Sequence, residues 1–281
     1  MPEFMIAGAD AVAPETLHAA FGAAFSDYLI GPFNLPLAQW PQFLARQAVD
    51  LPASRVALRN GRVLAFSFVA PRARLRRWRL ATMGAVPAAR GEGLAPALLD
   101  DFVARAAAAG MAQVELECFA QNDRAVRLYR SRGFETVHEL HGYTLAADAP
   151  RVAGSEGAVA VASRGEAMDW LDDAAMAIAA LPLQVTGESL RASPAALTAW
   201  RCGQAQLVFS ESDGVVTVNS LVDRDAAQAG ASALAAKLVA DHPGQRIQVP
   251  QLQRHDLGGA ALERLGFAPL PLHQVLMQRA A

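Results

Sequence analysis

Apolar residues recur at helical spacing near the start of the chain. Leu17, Ala20, Phe21 and Phe25 share one face of residues 16–25, and residues 36–49 form a second helical pattern. The period then changes. RVALRNGRVLAFSFVA holds two β-favouring runs joined by Asn60-Gly61, a two-residue hairpin signal, and RLATMGAV continues as strand. A helix over 93–109, the strand QVELECF, a helix over 123–132 and a strand over 137–145 follow. Strands and helices alternating after a hairpin predict a mixed α/β sheet.

Residues 146–158 (AADAPRVAGSEGA) lack apolar periodicity and read as a linker. Beyond it the pattern returns. A hairpin forms around Asp213-Gly214, a helix covers 227–240, and strand RIQVPQL, a helix over 257–264 and a final strand complete the set. Gly133-Phe134 and Gly266-Phe267 lie 133 residues apart, and the same shift pairs Val114 with Ile247, Leu116 with Val249 and LYRSRGF with ALERLGF. Agreement in order and register over several elements points to a duplication. The expected domains are 1–147 and 148–281.

Composition excludes several classes. A net charge of −2 and a pI near 6.3 leave no basic stripe for nucleic acid. The one cationic run, RARLRRWR over 72–79, is broken by Leu75 and Trp78 and reads as a solvated strand face. Cys118 and Cys202 are too few for a disulfide framework and lack metal-ligand spacing, so no metal is expected. With no basic-then-apolar leader and no apolar run of about 18 residues, the reading is a cytoplasmic protein off the membrane.

The chemistry begins at GAVPAARGEGLAPALLDDFVARA, residues 84–106. A strand stops at Pro87, and a loop with Gly91 and Gly93 opens a helix. Unpaired N–H groups and the positive end of the helix dipole make such a start a phosphate site, and glycines let the backbone approach closely. Arg90 adds a cation. The dinucleotide fingerprint fails at Pro96, and the Walker motif lacks G-K-[ST].

The string resembles motif A of the GCN5-related N-acetyltransferases (GNATs), [QR]-x-x-G-x-[GA], through Arg90, Gly93 and Ala95. LECFAQNDRAVRLYRSRGF, residues 116–134, is similar to their motif B. The resemblance implies acetyl-CoA as co-substrate. It places the pyrophosphate on Arg90, Gly91, Gly93, Leu94 and Ala95, and the pantetheine arm on the backbone of Ala85 and Val86 and beside Asn122 and Ala125. Tyr129 would face the sulfur. The fold it implies is two tandem GNAT-like domains, each a mixed, mostly antiparallel central sheet flanked by helices.

Acetyl transfer to an amine needs a base and an acid. Tyr129, whose phenol is ordinarily protonated at neutral pH, suits the acid. Glu115 and Glu117 alternate onto one strand face. Glu117 stands where GNATs that acetylate protein N-termini carry the glutamate of L-E-V, with Cys118 in place of the valine. Glu117 reads equally as an ion-paired or solvated carboxylate, and an ordered water is the alternative base. Asp27 and Tyr28 lie where GNATs place acceptor-binding helices, and read as surface residues. In the second half the counterparts of Asn122, Ala125 and Tyr129 are His255, Gly258 and Leu262, and VDRDAAQAG has no arginine loop, so that half is read as degenerate. The expectation is an N-acetyltransferase with a small-molecule amine favoured over a peptide N-terminus as acceptor. The alternative is a non-catalytic CoA-binding sensor or scaffold. Whether the chain forms a homodimer is left open.

Overall fold

The computed structural model of the protein describes residues 4–149 and 157–281. Its first elements are β1 (Met5–Gly8), α1 (Pro14–Ala24), α2 (Trp40–Arg46), β2 (Asp50–Arg59), β3 (Arg62–Arg72) and β4 (Arg77–Ala85). Then come α3 (Leu94–Ala108), β5 (Gln113–Phe119), α4 (Asp123–Ser131) and β6 (Glu135–Leu145). The later part holds β7 (Ala160–Ala162), α5 (Arg164–Ala177), α6 (Gly187–Leu190), β8 (Thr198–Cys202), β9 (Ala205–Ser212) and β10 (Val215–Asp223). It ends with α7 (Ala229–Asp241), β11 (Arg246–Arg254), α8 (Gly259–Arg264), β12 (Ala268–Pro269) and β13 (Gln274–Ala280). The mixed α/β class expected from the pattern is observed.

Two compact units divide the chain. One comprises Met1–Cys118, Asn122–Thr136 and Met277–Ala281, the other Phe119–Gln121 and Val137–Leu276. These are not the contiguous spans 1–147 and 148–281, because most of β6 counts with the second unit and the C-terminal residues count with the first. Of the expected linker, residues 150–156 lie outside the described residues.

In the first unit the strands run in the order β1-β2-β3-β4-β5, with β13 beside β5. The β2–β3 turn is the predicted hairpin, with Asn60 at φ 51° and Gly61 at φ 74°, the left-handed pair that a tight turn of this kind requires. Alternate residues feed two cores. Val56 and Phe66 pack with Phe21 and Trp40 from α1 and α2, while their neighbours Ala57 and Ala65 pack with Leu94 and Leu98 of α3. Helix α2 is shorter than its pattern: Pro41 lies in its first turn, and Ala48, at φ 51°, ends it.

The second unit orders its strands β6-β11-β10-β9-β8-β7, and β12 adds to β6. Helices α7 and α8 bury Leu234, Leu238 and Leu262 with Leu207 and Val216. Helix α5 buries Met168 and Leu171 with Val208 and Val222. Among the described residues no helix is long and apolar enough to cross a membrane.

Candidate active site

The two central parallel strands of the first unit part company. β4 pairs with β5 from Arg77↔Gln113 to Leu80↔Leu116 and no further, while on its other side it stays on β3 through Ala65↔Ala85. Burial follows the pairing: Trp78, Arg79 and Leu80 are buried, and Ala81 to Ala85 are half-exposed. Val86 donates its N–H to Leu64 O at 2.8 Å and its carbonyl accepts from Ala89, so its backbone is already engaged. Because backbone direction alternates along an antiparallel pair, Ala85 and Met83 turn their N–H and C=O groups to the opened edge. Of the two strand residues singled out in the sequence, Ala85 therefore faces the opened edge and Val86 does not, and Met83 faces that edge as well.

The loop after β4 is open. Gly91 (φ 88°) and Gly93 (φ 85°) are left-handed, and a Cβ added at either would meet nothing within 4 Å. Among the described residues the N–H groups of Gly91, Gly93, Leu94 and Ala95 find no acceptor. The Leu94 side chain is buried in the core, so only its N–H is on offer, and Ala95 is half-buried. Glu92, the carboxylate of the loop, is paired with Arg59. Arg90 is also engaged: Nη1 and Nη2 donate to Asp27 at 2.6 and 2.7 Å, Nη2 also reaches Ala24 O (2.9 Å), and Nε reaches Ala85 O (3.2 Å). Those bonds hold the Asp27 carboxyl below its usual range. Asp27 is therefore a partner of the loop as well as an exposed surface residue.

Four side chains, Asn122, Tyr28, Cys118 and Tyr129, gather beside α4. Asn122 caps that helix by accepting the Ala125 N–H at 3.2 Å, and a side-chain hydrogen bond joins it to Tyr28. Tyr28 is half-buried with its ring against Phe25 at 5.0 Å. Tyr129 is 7% exposed, and its hydroxyl has no hydrogen-bond partner among the described residues. Burial pushes its phenol well above the usual value, with Cys118 and Tyr28 adding to the shift. Burial likewise pushes the Cys118 thiol up to about 12, which leaves it a neutral thiol and a poor nucleophile.

The cationic run is solvated only in part: Arg74 and Arg76 are exposed, but Arg72 and Arg79 are not. Arg72 is 3% and Arg79 2% exposed, because each finds a carboxylate on β5. Glu115 accepts from Arg72 (2.5 Å), Arg77 (3.3 Å) and Gln278 (3.0 Å), all its oxygens being engaged. Glu117 is paired with Arg79, which places Nε at 2.7 Å and Nη2 at 2.6 Å from the same oxygen, Oε2. Oε1 is buried and has no partner among the described residues.

The second unit shows the same divergence with the gap filled. β10 and β11 pair only over Val215–Thr217 and Arg246–Gln248 in parallel. Past that point Gln253 donates from β11 to Leu221 O on β10 at 3.1 Å. Asp223 accepts the Ala231 N–H at 2.8 Å in the first turn of α7, where an anion would dock. Gln228 donates to His255 O (2.9 Å) and accepts from Ala261 N–H (3.0 Å). Leu262, the counterpart of Tyr129, is fully buried, whereas His255 is exposed. Among the described residues no cluster of His, Cys, Asp and Glu could hold a metal.

Residues 17–134, the stretch that holds this site, match the model of the acetyltransferase (GNAT) family. That stretch is a GNAT acetyltransferase domain. Solved structures share the fold over nearly the whole chain. A GCN5-related N-acetyltransferase from Sphaerobacter thermophilus is 15% identical, with 99% of this chain and 95% of that one covered at a TM-score of 0.65. One from Anabaena variabilis is 14% identical, covering 99% and 72% at 0.66, and a putative acetyltransferase from Pyrococcus horikoshii is 13% identical, covering 100% and 90% at 0.66. No curated protein sequence matches the chain.

Proposed function

We propose that the chain is a tandem GNAT whose first half transfers acetyl from acetyl-CoA directly to a primary amine, and whose second half is a degenerate, non-catalytic copy. The observation that carries this is the parting of β4 from β5 beside a glycine loop with free N–H groups. The donor set suits acetyl-CoA. The N–H groups of residues 91–95 would hold pyrophosphate, with Arg90 adding charge. The backbones of Met83 and Ala85 would pair with the pantetheine arm, and Asn122 and Ala125 would border it. Acetyl-CoA supplies an activated thioester when bound. Tyr129, kept protonated by burial, donates its proton to the departing sulfur. Glu117, or a water held by it, takes the proton of the attacking amine.

A small amine is the favoured acceptor. The α1–α2 connection exposes Leu29, Ile30 and Phe33 and borders a cavity of about 290 Å³ that includes His18, Phe21, Ser26 and Asn34. A small, half-open space with Phe21 and Phe33 in its lining suits a compact amine better than an extended peptide. A cytoplasmic setting goes with this reading. The test is thiol release from acetyl-CoA across a panel of small amines and N-terminal peptides. Turnover of small amines supports the proposal, and acetyl-CoA binding without turnover of any amine contradicts it.

A further inference from the structure

Glu117 is held in an unusual way for a buried carboxylate. Arginine forks commonly spread over both oxygens of a carboxylate, two parallel bonds to two atoms. Here Arg79 places Nε and Nη2 on Oε2 alone, and its Nη1 donates instead to Gln47 Oε1 at 3.1 Å. Gln47 is the residue that closes helix α2, so β4 and α2 fix the guanidinium together. Both charged side chains are nearly sealed, Arg79 at 3% and Glu117 at 2% side-chain exposure, yet among the described residues Glu117 Oε1 has no partner. A buried acceptor without a donor is costly and uncommon. Glu115, on the same face two residues earlier, shows the satisfied alternative, with Arg72, Arg77 and Gln278 on its two oxygens. Glu117 is also the first residue of β5 beyond its pairing with β4, so the orphaned oxygen belongs to the residue at the mouth of the gap.

We infer that Arg79, braced by Gln47, is a positioning residue: it grips Glu117 by Oε2 so that Oε1 is kept for a proton from the acceptor amine or from one water bound to it. The inference rests on the acetyltransferase reading given above. In the step it serves, an ammonium N–H bond breaks and its proton goes to Oε1, directly or through the water. The freed nitrogen lone pair forms the C–N bond as the C–S bond breaks, the sulfur takes the Tyr129 proton, the second proton of the acylated nitrogen passes to the Tyr129 oxygen, and Glu117 later returns its proton to solvent. Arg79 stays a guanidinium throughout and transfers no proton.

The experiment uses the full chain with acetyl-CoA and two probe amines, 2-phenylethylamine, a cation at neutral pH, and phenylhydrazine, which is neutral there and needs no base. Arg79→Gln should lower kcat for 2-phenylethylamine at least about tenfold, part of the roughly 10²–10⁴-fold that a positioned base contributes. It should change phenylhydrazine turnover little and leave KM for acetyl-CoA unchanged, and Arg79→Lys should recover part of the loss. An equal loss for both amines, or a raised KM for acetyl-CoA, overturns the inference and leaves Arg79 a structural ion pair. Glu117→Gln distinguishes the two levels: full turnover of 2-phenylethylamine by that variant sinks the Glu117 base, while the acetyltransferase reading stands. A crystal structure of the wild-type chain with CoA decides independently of turnover and of how well the variants fold. A water or amine nitrogen on Oε1, with Arg79 on Oε2, supports the inference, and a protein donor on Oε1 overturns it.

Discussion

Arg90 grips Asp27 through two hydrogen bonds of 2.6 and 2.7 Å, tying the end of α1 to the loop proposed to hold pyrophosphate. The pair is partly solvated, with Arg90 27% and Asp27 55% exposed in their side chains, so its own strength is modest. Its consequence is competition: the carboxylate occupies a cation that an incoming phosphate would use. Asp27→Asn should tighten acetyl-CoA binding roughly two- to fivefold by calorimetry, while Arg90→Ala weakens it. Weaker binding in Asp27→Asn would show instead that the carboxylate holds the loop in shape.

Tyr129→Phe removes a proton donor and little else from a side chain already buried beside Phe134. Its kcat should fall by about 10²–10⁴-fold with KM for acetyl-CoA nearly unchanged. The pH profile adds a check of sign. A phenol raised above its usual value stays protonated through the ordinary tyrosine range, so wild-type kcat should show no fall near pH 10 from this group. A descending limb there that disappears in Tyr129→Phe would contradict the assignment.

The buried charge ladder between β4 and β5 is a stability feature as well. Glu115→Ala would strand Arg72, whose side chain is 2% exposed, without its carboxylate. Losing one partner of a buried pair typically costs about 3–5 kcal/mol, which chemical denaturation would register. A loss below about 1 kcal/mol would mean that Arg72 finds another partner.

The C-terminal residues predict the behaviour of fragments. Met277–Ala281 belong to the first unit, where Gln278 donates to Glu115 and Ala281 N–H reaches Ala112 O. A chain ending at residue 147 lacks them and leaves the β5 edge exposed. It should aggregate, and fusing residues 274–281 back through a flexible linker should improve its solubility. A soluble 1–147 fragment that binds acetyl-CoA as the full chain does would contradict this.

Much of the fold was legible because its signals are local. Asn60-Gly61 and Asp213-Gly214 mark hairpins by their backbone demands, and Gly93 marks the start of α3 by the left-handed turn it makes. The capping box Ser163–Glu166 at α5 was just as local and was overlooked. What the sequence hid was pairing across distance. The cationic run looks solvated until β5 brings Glu115 and Glu117 beside it. The preference for Met83 over Val86 depends on which backbone groups β3 has already taken. That the last strand completes the sheet of the first unit is a matter of topology, which one chain's periodicity does not carry.

The central claim is a single acetyl-CoA site, built by the open glycine loop of the first unit and filled in the second by Asp223 and Gln253. Titration calorimetry of acetyl-CoA into the full chain and into Gly93→Val tests it most directly. A valine at φ 85° would strain the loop and stand where phosphate must approach. The account predicts one site per chain and binding weakened at least about tenfold in the variant, the scale of a lost charge-assisted hydrogen bond. Two sites per chain, or unchanged affinity in Gly93→Val, would contradict it.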